Sequence, residues 1–138
     1  MASIIREIVI DACPADVWDA LADFGAVDRR LAPGFVTDAT LETPGTRLIT
    51  FFNGAVAREV LVGVDAPARR LAYSVVESAL GLTHHQASAQ VLADGDGRSR
   101  FVWISDVLPD EAAATIAAMM DQGIGVIKAT VESNCSTP

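Results

Sequence analysis

The chain has 138 residues, an apolar fraction of 51% and a formal net charge of −8. That length suits one domain, 1–138, with a substantial core. The composition excludes a disordered chain, and no run approaches the ~18 uncharged apolar residues of a membrane span. Ten basic residues, nowhere gathered into a patch, argue against nucleic-acid binding. The opening MASIIREIVID has no basic segment followed by an apolar one, so no secretory signal is expected and a cytoplasmic location is. Cys13 and Cys135 lie near opposite ends and are read as free thiols.

Ser3 to Asp11, rich in Ile and Val, reads as a first strand. Ala12-Cys13-Pro14 breaks it. Pro14 suits the first turn of a helix, Asp16 would sit at its positive end, and Val17 and Leu21 supply an apolar side up to Asp23-Phe24-Gly25. A second short helix is expected over Ala26 to Leu31, stopped by Pro33-Gly34. Strand patterns then follow over Phe35 to Glu42, Thr46 to Phe52, Val56 to Asp65, Arg70 to Val76, His84 to Leu92 and Ser99 to Leu108. Asn53-Gly54 is the strongest hairpin signal among the turns between them.

Asp110 to Asn134 contains no proline and is long enough for more than five helical turns. Ala113, Ile116, Ala117, Met120, Ile124, Ile127 and Val131 recur at steps of three and four, which puts them on one face. That stripe needs an apolar partner, and the strands before it supply a sheet. Six consecutive strands on tight turns must be antiparallel neighbours, since parallel ones require crossovers. The expected fold is α+β: a seven-stranded antiparallel sheet wrapped around a long C-terminal helix, with two short helices after strand one.

Three stretches, ACPADVWDALADF, AREVLVGVD followed by RRLAYSVVES, and FVWISDV before the terminal helix, are similar to the START/Bet v 1 superfamily, in its polyketide cyclase/dehydratase-like branch. The resemblance covers nearly the whole chain and implies a helix-grip fold with an elongated apolar pocket between sheet and helix. Strand parity then selects which side chains could reach it. Leu71, Tyr73 and Val75, then His85, Ala87, Ala89 and Val91, then Phe101, Trp103, Ser105 and Val107 form the inward sets. On Val56 to Asp65, valine count turns Arg58 inward. The resemblance implies the reverse, because Glu59 in its E-x-L-x-x-x-D run matches the inward glutamate of the related plant abscisic-acid receptors. Those receptors' long entrance loop and ligand-anchoring lysine have no counterpart here, so their gating does not carry over; the chain's single lysine is Lys128.

The candidate ligand-binding residues are therefore Glu59, Leu61, Tyr73, Val75, His85, Ala87, Trp103, Met120 and Ile124, with Glu59 expected to pair with His85 across the pocket and Arg58 or Arg47 as other partners for it. Two functions follow. One is binding of a small hydrophobic molecule (aromatic, lipid or polyketide-like). The alternative is a cyclase, dehydratase or hydrolase using Glu59 or His85 for acid–base chemistry. A third, a pocket-less interaction module, would need the terminal helix to fill the groove. Neither cofactor nor metal is expected: neither cysteine has a neighbouring histidine, and adjacent strand residues His84 and His85 point oppositely. Outward apolar residues, Val102 and Ile104 with Val60, Val62 and Val64, would suit a homodimer.

Overall fold

The computed structural model describes residues 1–134, so Cys135 lies outside the described residues, while Cys13 is a free thiol. The chain runs β1 (Ala2–Ile10), α1 (Pro14–Ala22), a 3₁₀ turn (Phe24–Ala26), a π-helical turn (Val27–Leu31), β2 (Val36–Thr43), β3 (Thr46–Phe51), β4 (Val56–Asp65), β5 (Arg70–Ser78), β6 (His84–Ala93), β7 (Ser99–Leu108), a 3₁₀ turn (Asp110–Ala112) and α2 (Ala113–Asn134). Two expected helices are thus corrected at their ends. Ala26 to Leu31 is two tighter and wider turns, closed by Ala26 N–H to the Asp23 carbonyl and Ala32 N–H to the Val27 carbonyl. The terminal helix begins at Ala113, because Ala112 N–H bonds back three residues to the Pro109 carbonyl.

The sheet has seven strands in the order β1-β7-β6-β5-β4-β3-β2, all neighbours antiparallel. Five of the six pairings are hairpins between consecutive strands. The sixth brings β1 back against β7, Ala2 opposite Val107 and Ile10 opposite Ser99. Asn53-Gly54 turns β3 into β4 as its chemistry dictates: Gly54 takes a φ of +85°, and the Asn53 side chain accepts the Ala55 N–H. Register shifts in the β4–β5 ladder, between Arg58 and Glu59 and between Leu61 and Gly63, add the local twist that curls the sheet.

The curled sheet holds α2 by its apolar stripe, with Ile116, Met120, Gly123, Ile124, Ile127 and Val131 buried. Polar ties run from the helix to β1 and its end. Arg6 pairs with Asp121, Lys128 Nζ donates to the Val9 carbonyl, and Glu132 accepts the Asp11 N–H. Gly123 lets the helix come close: a Cβ there would sit 2.9 Å from the Phe35 ring and 3.2 Å from the Trp103 ring. On β4 it is the valine-poor set that faces in. Ala57 and Glu59 are buried, whereas Val62 and Val64 are more than half exposed on the outer face. Arg58 lies outside, bridging Glu42 and Glu77. No helix among the described residues is long and apolar enough to cross a membrane.

Candidate functional site: a cavity between sheet and helix

Sheet and α2 do not close completely. A cavity of about 90 Å³ remains between β3–β7, α2 and the stretch from Leu21 to Val36. A water needs roughly 10–15 Å³ of such space, so this one has room for several waters or one small organic molecule. Its walls are mostly aliphatic and aromatic; the polar side chains among them are Arg47, Glu59, Tyr73, His85, Trp103 and Ser105. The floor is shallow where Ala57, Ala89 and Ser105 stand on the central strands.

Glu59 sits opposite Arg47 in the β3–β4 ladder, and both are buried. Arg47 Nε donates to Glu59 Oε1 at 2.8 Å and Nη2 lies 2.7 Å from the same oxygen. The guanidinium also donates from Nη1 to the Phe24 carbonyl at 3.1 Å and lies over the Phe24 ring, 3.9 Å from its centroid. Its flat, weakly hydrated cation suits that sandwich of carboxylate, carbonyl and aromatic face. The expected Glu59–His85 pair is therefore corrected: the carboxylate has a guanidinium directly across the ladder, and His85 is occupied elsewhere.

His85 Nδ1 accepts the Val75 backbone N–H at 3.0 Å. That N–H can only donate, so the imidazole proton must be on Nε2. Burial first, and the neighbouring charge of His84 second, push the His85 pKa down to about 4, so the ring is neutral at pH 7. Tyr73 stands beside it, ring centroids 5.8 Å apart, and its hydroxyl accepts Trp103 Nε1–H at 3.0 Å. Burial raises the Tyr73 pKa well above the phenol range, and the Glu59 charge adds to it, so the hydroxyl keeps its proton.

Of the sequence candidates, Glu59, Tyr73, Val75, His85, Trp103 and Met120 line this cavity. Leu61, Ala87 and Ile124 do not, although all three belong to inward-facing sets. Ala87 is walled in between Tyr73 and Ser105 on the flanking strands, and its methyl is too short to reach past them. Leu61 packs against the cluster of Phe24, Leu71, Tyr73 and Ala87. Ile124 is spent in the main core. Arg47 and Ser105 are polar lining residues that the candidate set lacks. Parity already put Ser105 on the inner face, and Arg47 was one of the partners open to Glu59, which the hairpin register selects over Arg58. His84 is exposed and Asp106 accepts from Ser3, so these two and His85 do not converge. Among the described residues no three His, Cys, Asp or Glu side chains gather into a metal-binding group.

A long helix gripped by a curled antiparallel sheet, with an apolar cavity between them, defines the helix-grip class. The chain belongs to the family described as polyketide cyclase / dehydrase and lipid transport, whose model matches residues 1–132. Among solved structures it is similar to the protein XoxI from Bacillus cereus (TM-score 0.86, 19% identity, 97% of this chain and 99% of that one). It is also similar to a START superfamily protein from Mycobacterium smegmatis (TM-score 0.74, 9% identity, 96% of each chain). A third is norcoclaurine synthase from Thalictrum flavum, solved with dopamine and hydroxybenzaldehyde (TM-score 0.74, 17% identity, 96% of this chain and 85% of that one). At these identities the likeness is one of fold. No curated protein matches the chain.

Proposed function

We propose that residues 1–138 act as one START/Bet v 1-like domain that binds or carries a small hydrophobic molecule, aromatic, lipid or polyketide-like, in the cavity between sheet and α2. The observation that carries this reading is the lining itself: apolar walls with a few buried, oriented polar side chains, the usual composition of a small-molecule site. Glu59, Tyr73, Val75, His85, Trp103 and Met120 would contact the ligand. The alternative, an enzyme moving protons with Glu59 or His85, has weaker support from the geometry. Glu59 Oε1 is engaged by two N–H groups of Arg47, and the Nδ1 lone pair of His85 is taken by Val75. Neither arrangement resembles a base held ready for a substrate proton.

The test is native mass spectrometry of freshly purified protein, followed by titration with an apolar fluorescent dye. Val75→Trp should fill the cavity from a half-buried wall position. The reading requires a copurified small molecule or a saturable dye site, lost in folded Val75→Trp protein. Equal dye binding by wild type and variant would place the dye outside the cavity and refute it.

A further inference from the structure

The cavity's polar groups differ sharply in whether they are already satisfied. Arg47 and Glu59 neutralise each other, and Trp103 Nε1–H is given to Tyr73. Three side chains, each at least nine-tenths buried, line the cavity and donate no side-chain hydrogen bond to another of the described residues. The Tyr73 hydroxyl accepts from Trp103 and keeps its own hydrogen to give. His85 presents Nε2–H, its Nδ1 being committed to Val75. Ser105, 1% exposed, makes no side-chain hydrogen bond yet lines the cavity.

The three stand on one wall. Tyr73 and Ser105 flank Ala87 in a single row across β5, β6 and β7, so nothing larger than a methyl rises between them. His85 lies one step along, opposite Val107, its ring 5.8 Å from that of Tyr73. Donors that open onto the cavity without a protein acceptor make such a cluster a site for whatever supplies one.

Resting on the carrier reading above, we infer that the ligand is a neutral carbonyl compound, a ketone, quinone, lactone or amide, whose oxygen is received by Tyr73, His85 and Ser105 while its apolar body fills the rest of the cavity. Charge decides against the nearest competitors. A carboxylate would meet donors but no unmatched cation, since the Arg47 guanidinium already has Glu59 and the His85 ring is neutral. An ammonium would meet a carboxylate already matched by Arg47, and donors where it needs acceptors. Burying either ion unpaired is far more costly than burying a carbonyl that finds its hydrogen bonds.

The experiment uses four probes of matched size, acetophenone, isopropylbenzene, benzoate and 1-phenylethylamine, titrated by NMR into the full chain. Acetophenone carries ¹³C at its carbonyl, which moves downfield when the oxygen accepts hydrogen bonds. In wild type, benzoate and the amine should bind at least about tenfold more weakly than acetophenone. In both Tyr73→Phe and Ser105→Ala, the preference for acetophenone over isopropylbenzene should fall about three- to tenfold per lost donor, with isopropylbenzene affinity held. The bound carbonyl signal should retreat upfield in each variant. An unchanged preference in both variants, an unshifted carbonyl, or benzoate binding best would overturn the inference. If isopropylbenzene binds and the ketone gains nothing, the carrier reading survives and this inference alone falls. If neither neutral probe enters wild type, both fall together.

Discussion

Two glycines two residues apart in α2 give a sharp check on how closely the helix sits over the cavity. Replacing an interior helical glycine by alanine should stabilise a helix by about 1 kcal/mol, because alanine loses less backbone freedom on folding. At Gly125 an added Cβ meets nothing within 4 Å, so Gly125→Ala should show that gain in full. At Gly123 the same atom would lie 2.9 Å and 3.1 Å from two carbons of Phe35 and 3.2 Å from one of Trp103. Carbon pairs prefer about 3.5–4.0 Å, so two rings, or the helix, must move. Overpacking of this kind costs roughly 1–3 kcal/mol, which cancels or outweighs the propensity gain. Gly123→Ala should therefore be about 1–3 kcal/mol less stable than Gly125→Ala, read as midpoint shifts in urea at constant m-value. Both rings also line the cavity, so any relief by tilting them inward should appear as weaker dye binding. If Gly123→Ala gains as much stability as Gly125→Ala and binds dye like wild type, the helix does not approach as described.

Arg47→Met should cost roughly 3–5 kcal/mol, since it leaves the Glu59 carboxylate buried without its cation, while Arg47→Met combined with Glu59→Leu should recover much of the loss. Urea unfolding of the two decides it, and equal stabilities would mean that the ion pair is not the buried unit described. The depressed pKa of His85 makes stability fall on acidification. Between pH 6.5 and about 4 the unfolded chain binds a proton that the folded ring refuses, so stability that is intact above pH 6.5 declines, by up to about 3 kcal/mol, as pH drops to 4. His85→Asn should flatten this decline relative to wild type across that window; parallel pH profiles for the two would show that His85 is not held neutral.

The elements were legible because their periods are clean. Tight turns separate two-residue alternations, and the stripe from Ile116 to Val131 keeps helical spacing throughout. Parity also gave the inner faces of β5, β6 and β7. What a period cannot give is reach. Ala87, Leu61 and Ile124 face inward, yet the cavity lies beyond the end of one and beside the other two. On β4, counting valines points the wrong way because Val62 and Val64 are exposed on the outer face, and only the resemblance turned Glu59 inward. The choice among its possible partners was open for another reason: Arg47, and not His85 or Arg58, meets Glu59 through a cross-strand register that no single strand encodes. The donor state of His85 was equally out of sight, since it depends on the Val75 N–H.

The shallow floor of Ala57, Ala89 and Ser105 has a consequence for how such a site can diverge. The room for a guest is made by side chains that stop short in the middle of an otherwise ordinary sheet, while the ladder hydrogen bonds beneath them belong to the backbone and are indifferent to side-chain size. Under the reading proposed above, a larger side chain at any of the three would take room from the ligand while leaving the ladder hydrogen bonds in place.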